Sequence, residues 1–307
     1  MADHCSFRFL CSKKIKELQP DIVHTHDRIF KADIASVHSI PHLTWVKKIR
    51  GKRFPSLYDL VTGWVERKLY ECGGCKKILP VSELAAQEIC QKYPFVQGKI
   101  EIMPPGIDLE KFGQRTPELR AQTRREFDIK DEDLLVLFVG MNFELKGLDP
   151  LLASVARAQG KIRGKRLRLL VVGKGNMAKY ANLAKRLGLE GDVFFTGVRK
   201  DMERLYQAGD VFCLLSQFDT FGMVVGEALA AGLHAIVSTQ VGAKDLIREG
   251  ENGYVVDRQD VERISSVLLN MTEDSRRKIM SEKARESVSG CGWQILVRRV
   301  GELYDTL

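Results

Sequence analysis

Asp219 and Glu227 stand eight positions apart and bracket the run Thr220-Phe221-Gly222-Met223-Val224. Upstream, an apolar strand over residues 211–215 empties into a short polar loop; downstream, a small-residue helix is expected to start near Thr220 and stop at Gly232. A helix start beside the carboxyl end of a strand presents unpaired N–H groups and the positive end of the macrodipole. Residues 221–224 are therefore expected to hold an anion, with phosphate the natural choice. Eight residues make a little over two helical turns, which would put Asp219 at the mouth of the site and Glu227 on the same face. A carboxylate beside phosphate must grip something else, and hydroxyls qualify. A nucleotide-sugar offers them on both sides of its diphosphate, ribose on one and hexose on the other. Taken singly, either carboxylate reads equally well as a helix-terminal charge or a solvated residue.

Cations for such a diphosphate come from two loops. The unbroken apolar strand 134–140 ends at Gly140 and releases into Met141-Asn142-Phe143-Glu144-Leu145-Lys146-Gly147, where Lys146 can act as a mobile point charge. The strand 166–172 runs into Gly173-Lys174-Gly175-Asn176-Met177-Ala178, a GxGxxA turn. That turn also suits a nicotinamide enzyme, but the acid required at the end of the next strand is missing, since 192–195 runs into Thr196-Gly197. Residues 160–165 have neither the spacing nor the hydroxyl of a Walker loop. Asp131-Glu132-Asp133 spells DxD, yet it precedes a strand in a polar linker, and no metal is expected because helix amides and basic residues already neutralise diphosphate.

The run DTFGMVVGEALAAG, with HAIVSTQVG and KDLIREGENGYVV after it, resembles the donor-binding signature of retaining family-four glycosyltransferases. The resemblance covers essentially the whole chain. It implies the GT-B architecture, an α/β fold of two Rossmann-like domains with parallel sheets facing a cleft. The family's Glu, seven residues, Glu becomes Asp219 and Glu227 here, implied to contact sugar and ribose. An Arg that usually accompanies Lys146 is replaced by Leu145 or Asn142, with Lys174 or Arg199 to compensate. Thr196-Gly197-Val198-Arg199-Lys200-Asp201 resembles the base-binding loop. A family histidine that reaches across to the donor's sugar and phosphate matches His38 first and His42 second.

The elements that must carry these residues alternate. Apolar positions in 7–19 have helical spacing; strands are expected at 21–26 and 33–38, a helix at 57–71, a strand at 76–81, a helix at 82–93 and a strand at 99–103. His38 thus stands at the C-terminal end of a strand, where α/β proteins place ligand-binding groups. His24 and His26 read as packing or polar-loop residues. This half starts on a helix, and by the resemblance about 60 to 80 residues, two or more βα units, are wanting from the first domain. The stretch 102–108, with PPGID, closes it and resembles the interdomain stretch of lipopolysaccharide-core glucosyltransferases. A polar segment over 114–133 leads into the second domain. Expected boundaries are 1–113 for the acceptor side and 114–290 for the donor side. Helices are expected at 261–269, 275–287 and 293–304, and the resemblance implies that the last, within 291–307, crosses back to the first domain.

The chain has 307 residues, 44% hydrophobic and 29% charged, without an apolar run of membrane-spanning length or a signal core. Seven scattered cysteines fit a reducing compartment, and the glycines of Cys72-Gly73-Gly74-Cys75 read as a helix stop rather than a redox or metal motif. Residues 1–113 hold 18 Lys plus Arg against 13 Asp plus Glu, five of the net +8. The densest part is Trp45, Lys47, Lys48, Arg50, Lys52 and Arg53, basic with aromatic ends, which suits an anionic bilayer as well as a solvated helix face. No nucleic-acid motif accompanies it, so no nucleic-acid partner is expected. The expectation is a metal- and cofactor-independent, cytoplasmic enzyme, peripheral at the inner face of the plasma membrane. It would move a hexose from a UDP-sugar, its substrate, to a glycolipid or lipopolysaccharide-core acceptor. A nucleotide-sugar epimerase and an impaired donor-binding remnant are the alternatives.

Overall fold

The structure, a computed structural model, describes residues 2–71, 75–114, 116–162 and 164–307. Cys72, Gly73 and Gly74 lie outside the described residues, and the helix before them ends at Glu71. Two compact units form, residues 1–105 with 296–307, and residues 106–295.

The first unit contains α1 (Ala2–Leu18), β1 (His24–Thr25), β2 (Ile34–Val37), α2 (His42–Lys48), α3 (Leu57–Glu71), β3 (Lys77–Pro80) and α4 (Glu83–Lys92). Its three strands are parallel in the order β1-β2-β3. Ser82 caps α4 by accepting a hydrogen bond from the amide of Ala85, which closes the helix start sharply after β3. Two expected strands shrink. Residues 94–99 form a 3₁₀ turn, and 99–103 keeps only the bridge Ile78–Ile100 with two further amide bonds before Pro104 and Pro105 remove the donors. The strand expected at 21–26 is reduced to β1, at the edge of the sheet.

The second unit contains α5 (Leu109–Gly113), α6 (Pro117–Glu126), β4 (Leu134–Met141), α7 (Leu148–Gln159), β5 (Leu167–Lys174), α8 (Met177–Arg186), β6 (Val193–Gly197), α9 (Met202–Ala208), β7 (Val211–Leu214), α10 (Met223–Ala230), β8 (His234–Ser238), β9 (Gly253–Val256), α11 (Val261–Asn270) and α12 (Asp274–Val288). The last helix, α13 (Trp293–Asp305), begins in this unit and ends in the first. All six strands are parallel, in the order β6-β5-β4-β7-β8-β9. The chain winds outward from β4 to β6, then returns to place β7 on the other side of β4. That reversal makes a switch point at the carboxyl ends of β4 and β7. β4, β5, β7 and β8 are buried on both faces, as their continuous apolar runs require, and helices on either side cover them.

The segment expected as a polar linker instead holds α6, capped by Thr116 and Pro117. Its Arg124 is fully buried, and its guanidinium donates to Asp210 Oδ2 at 3.1 Å and to the carbonyl of Asp133 at 2.7 Å. Asp133, from the DxD run, is also buried and accepts from Arg168 and the amide of Lys130 at the start of β4. Its carboxylate is a brace, at the strand end away from the switch point.

Candidate donor site

Three loops meet at the switch point, and glycines let them do so. A Cβ on Gly173 would lie 2.0 Å from the carbonyl oxygen of Gly140, and one on Gly147 would lie 2.0 Å from that of Leu215. Both residues also have positive φ, so a side chain would be strained even with space to occupy. The GxGxxA turn therefore serves close packing of the β4 and β5 loops, with Gly175 against the Phe143 ring. Asn142 takes φ +66° and shapes the first loop: its amide donates to the Lys174 carbonyl at 2.8 Å and its side-chain oxygen accepts from the Leu145 amide. The amide of Gln217 donates to the Leu145 carbonyl at 2.7 Å, joining the β4 and β7 loops.

Lys146 stands where these loops converge. Its stem lies over Gly140, where a Cβ would come within 2.9 Å of its Cγ, and its Nζ donates to Asp219 Oδ2 at 2.5 Å. The structure thereby brings together two expected site residues 73 positions apart. Lys174 is exposed at the end of β5.

The helix start expected near Thr220 is displaced. Asp219 lies in extended chain, its amide donating to the Gln240 carbonyl and its carbonyl accepting from Gly242, and Gly222 turns left-handed at φ +89°. α10 begins only at Met223. Asp219 and Glu227 consequently do not share a helix face: one is on the loop, the other on the helix. Thr220, Phe221 and Gly222 belong to the approach, and Met223 and Val224 form the first turn.

Glu227, in the middle of α10, is half-buried, and its Oε2 accepts from the hydroxyl of the buried Tyr206 at 2.7 Å. Burial pushes its carboxyl above the ordinary range, against the Tyr206 hydrogen bond and the nearby Lys111 charge. Arg199 follows β6 with its guanidinium committed: Nε and Nη2 donate to the Asp201 carboxylate and Nη1 to Glu126. That grip holds Asp201 down at about 2.

In the first unit, His38 Nε2 lies 2.9 Å from His26 Nδ1, and the two rings stack. His26 in turn stacks on His24, whose ring nitrogens meet the Tyr304 hydroxyl at 2.7 Å and the Ser36 hydroxyl at 2.8 Å. Burial first, then the neighbouring His26, lowers the pKa of both His38 and His24, so both are neutral at pH 7. His24 and His26, read from sequence as packing or loop residues, are thus members of one ladder with His38, a pairing set by the register of β1 on β2. His42 opens α2 with Nε2 at 2.9 Å from the buried Asp59, whose carboxyl is held far below its usual range by Ser56 first and His42 after it.

The basic segment is exposed at Trp45, Lys47, Lys48, Arg50, Lys52 and Arg53. Lys48 pairs with Glu88 at 2.6 Å, Arg50 stacks on Trp45 at 5.0 Å, and Arg53 lies over Phe54. Beside it, Phe54, Leu57, Leu60 and Trp64 are exposed, the last three at helical spacing along α3. Sequence reading missed that apolar stripe because the α3 pattern alone does not say which face lacks a cover. Among the described residues no helix is long and apolar enough to cross a membrane.

Comparison with known proteins places the family and the fold. The family description "Glycosyl transferases group 1" matches residues 120–287, and "Glycosyltransferase Family 4" matches residues 3–111. The chain is 29% identical over 215 residues to a D-inositol 3-phosphate glycosyltransferase of Corynebacterium kroppenstedtii, covering 67% of this chain and 48% of that protein. It is 28% identical over 223 residues to the lipopolysaccharide glucosyltransferase WaaG of Escherichia coli, covering 72% and 59%. The chain thus spans only about half to three-fifths of those relatives. The crystal structure of WaaG superposes with a TM-score of 0.76 at 23% identity, covering 94% of this chain and 79% of that one. Anabaena HepE, solved with UDP and glucose, gives 0.74 at 17%, covering 89% and 71%. The fold is GT-B, and the chain belongs to the group 1 glycosyltransferases.

Proposed function

We propose that the chain transfers a hexose from a UDP-sugar, with retention of configuration, to a glycolipid or lipopolysaccharide-core acceptor. The observation that carries this reading is the meeting of Lys146, Asp219 and the α10 start at the switch point of a doubly wound sheet. Lys146 and the first-turn amides would neutralise the diphosphate as it departs, which is the largest contribution such a site can make. Asp219 both fixes the Lys146 ammonium and offers an acceptor for sugar hydroxyls. Glu227 would hold the ribose, its carboxylate steadied by Tyr206. His38 keeps the part that the family resemblance implies, orienting the transferred sugar. Gly140, Asn142, Gly173, Lys174 and Arg199 are assigned to loop shape and donor contact. HepE, as solved with UDP and glucose, supports the choice of donor, and WaaG, described as acting in lipopolysaccharide biosynthesis, supports the acceptor class.

The segment 45–53 with the α3 stripe would seat the protein on the anionic cytoplasmic face of the plasma membrane, where a lipid-linked acceptor is presented. The test is incubation of the full chain with radiolabelled UDP-glucose and lipid acceptor extracts. Label transferred to lipid with the anomeric configuration of the donor supports the reading, whereas free epimerised nucleotide-sugar without transfer contradicts it.

A further inference from the structure

Four charged side chains close a ring beside the loop that follows β6. Arg199 donates from Nε and Nη2 to the two oxygens of Asp201, at 2.8 and 2.7 Å, and from Nη1 to Glu126 Oε1 at 3.0 Å. Arg204 donates to Asp201 Oδ2 at 3.3 Å and to Glu126 Oε2 at 3.2 Å. Each cation therefore bridges both carboxylates. Isolated exposed ion pairs hold little, but a bidentate contact closed into a network is the exception.

Glu126 has the least local reason to be where it is. It is the last residue of α6, where the helix dipole disfavours an acid. Its partners Arg199 and Arg204 stand 73 and 78 positions away. α6 itself is well anchored: Arg120 and the buried Arg124 donate to Asp210, and Phe127, just beyond the helix, packs on Phe194 of β6 with ring centroids 6.2 Å apart. The helix runs antiparallel to α9. Arg120 reaches the carbonyls of Gln207, Ala208 and Gly209 at the end of α9, while Glu126 meets Arg204 and the loop at its start.

The ring fixes a loop on the donor side of the sheet. Register sets Gly197 beside Val172 and Gly173 beside Gly140, so residues 197–201 leave the sheet level with the loop that carries Lys146. Two strand spacings, about 10 Å, separate β6 from β4. Gly197 turns left-handed at φ +70° with open space where a Cβ would stand, and Val198 is exposed. The loop thus offers main chain and one apolar side chain at a nucleoside's reach from the diphosphate cation. It also opens α9, whose Tyr206 donates to Glu227.

We propose that Glu126 and Arg204 are positioning residues for the nucleoside end of the donor, acting through Arg199 and Asp201 on the loop 197–201. The inference rests on the donor reading above and adds to it two residues that act without touching the nucleotide.

Calorimetric titration of the full chain with UDP and with inorganic pyrophosphate, in EDTA at low salt, tests it. Glu126→Gln and Arg204→Gln should each weaken UDP binding roughly three- to tenfold and leave pyrophosphate within about twofold, because the diphosphate is gripped at β4 and α10. The double variant should lose little more than the larger single loss, since both residues act through one network. Lys146→Ala should weaken both ligands, which separates the ring from the diphosphate site. UDP affinity unchanged in the two folded single variants, or UDP and pyrophosphate weakened alike, overturns the positioning role and leaves the donor reading standing. Failure of the unmodified chain to bind UDP or pyrophosphate overturns the donor reading, and the positioning role with it.

Discussion

Lys146 Nζ lies 2.5 Å from Asp219 Oδ2, so a cation from the loop after β4 and a carboxylate from the loop after β7 form one unit at the switch point. The pair is about three-quarters buried at the lysine and more so at the aspartate, which sets it apart from a solvated surface contact.

Lys146→Ala should therefore lose the diphosphate cation and leave Asp219 facing the same anion. An expected loss of about 1.5 to 3 kcal/mol corresponds to roughly 10- to 150-fold weaker UDP binding by calorimetry. Affinity within twofold of the unmodified chain would remove Lys146 from the site.

Glu227 supplies a pH signature. Its carboxyl in the folded chain titrates above the ordinary 4.5, chiefly because burial penalises the charged form. The folded state therefore holds a proton that the unfolded chain has released. This stabilising contribution is complete below pH 4.5 and is lost as pH rises through the folded value. The difference in melting temperature between Glu227→Gln and the unmodified chain should shift in favour of the variant across that window. A difference independent of pH between 4 and 7 would contradict the placement of Glu227.

The histidine ladder should titrate in the opposite direction. His38 and His24 are held neutral by burial and then by His26, so their contribution to stability is present above pH 6.5 and is lost as pH falls through their lowered values. Imidazole resonances of His38 followed by NMR should show a midpoint below 6.5, moving upward in part in His26→Ala. A midpoint at or above 6.5 in the unmodified chain would disprove the buried ladder.

The apolar stripe and basic segment predict vesicle binding. Lys47→Glu with Lys52→Glu should reduce partition onto vesicles containing anionic lipid by at least tenfold, since each cation near the surface contributes about 1 kcal/mol. Leu57→Ser with Trp64→Ser should reduce it through lost apolar area. Partition of the unmodified chain that is equal on neutral and anionic vesicles would count against an anionic surface as partner.

Continuous apolar runs made β4, β5 and β7 legible, because a strand buried on both faces leaves no other composition available. The types of Lys146, Asp219 and Glu227 were equally readable. The start of α10 was not: it is fixed by the extended pairing of Asp219 with Val241 and by the left-handed Gly222, both set by chain folded from elsewhere. α6 was hidden in a polar segment because the partner that makes burial of Arg124 tolerable, Asp210, lies 86 residues away. The joining of His26 and His38 depends on register between β1 and β2, which alternation within one strand cannot supply.

The most direct measurement of the central claim is calorimetric titration of the full chain with UDP and UDP-glucose in EDTA at low salt, beside Glu227→Ala. Saturable binding by the unmodified chain, lost in Glu227→Ala, is the predicted result. No binding of either nucleotide, or unchanged affinity in the variant, would contradict a donor site at the β4–β7 switch point.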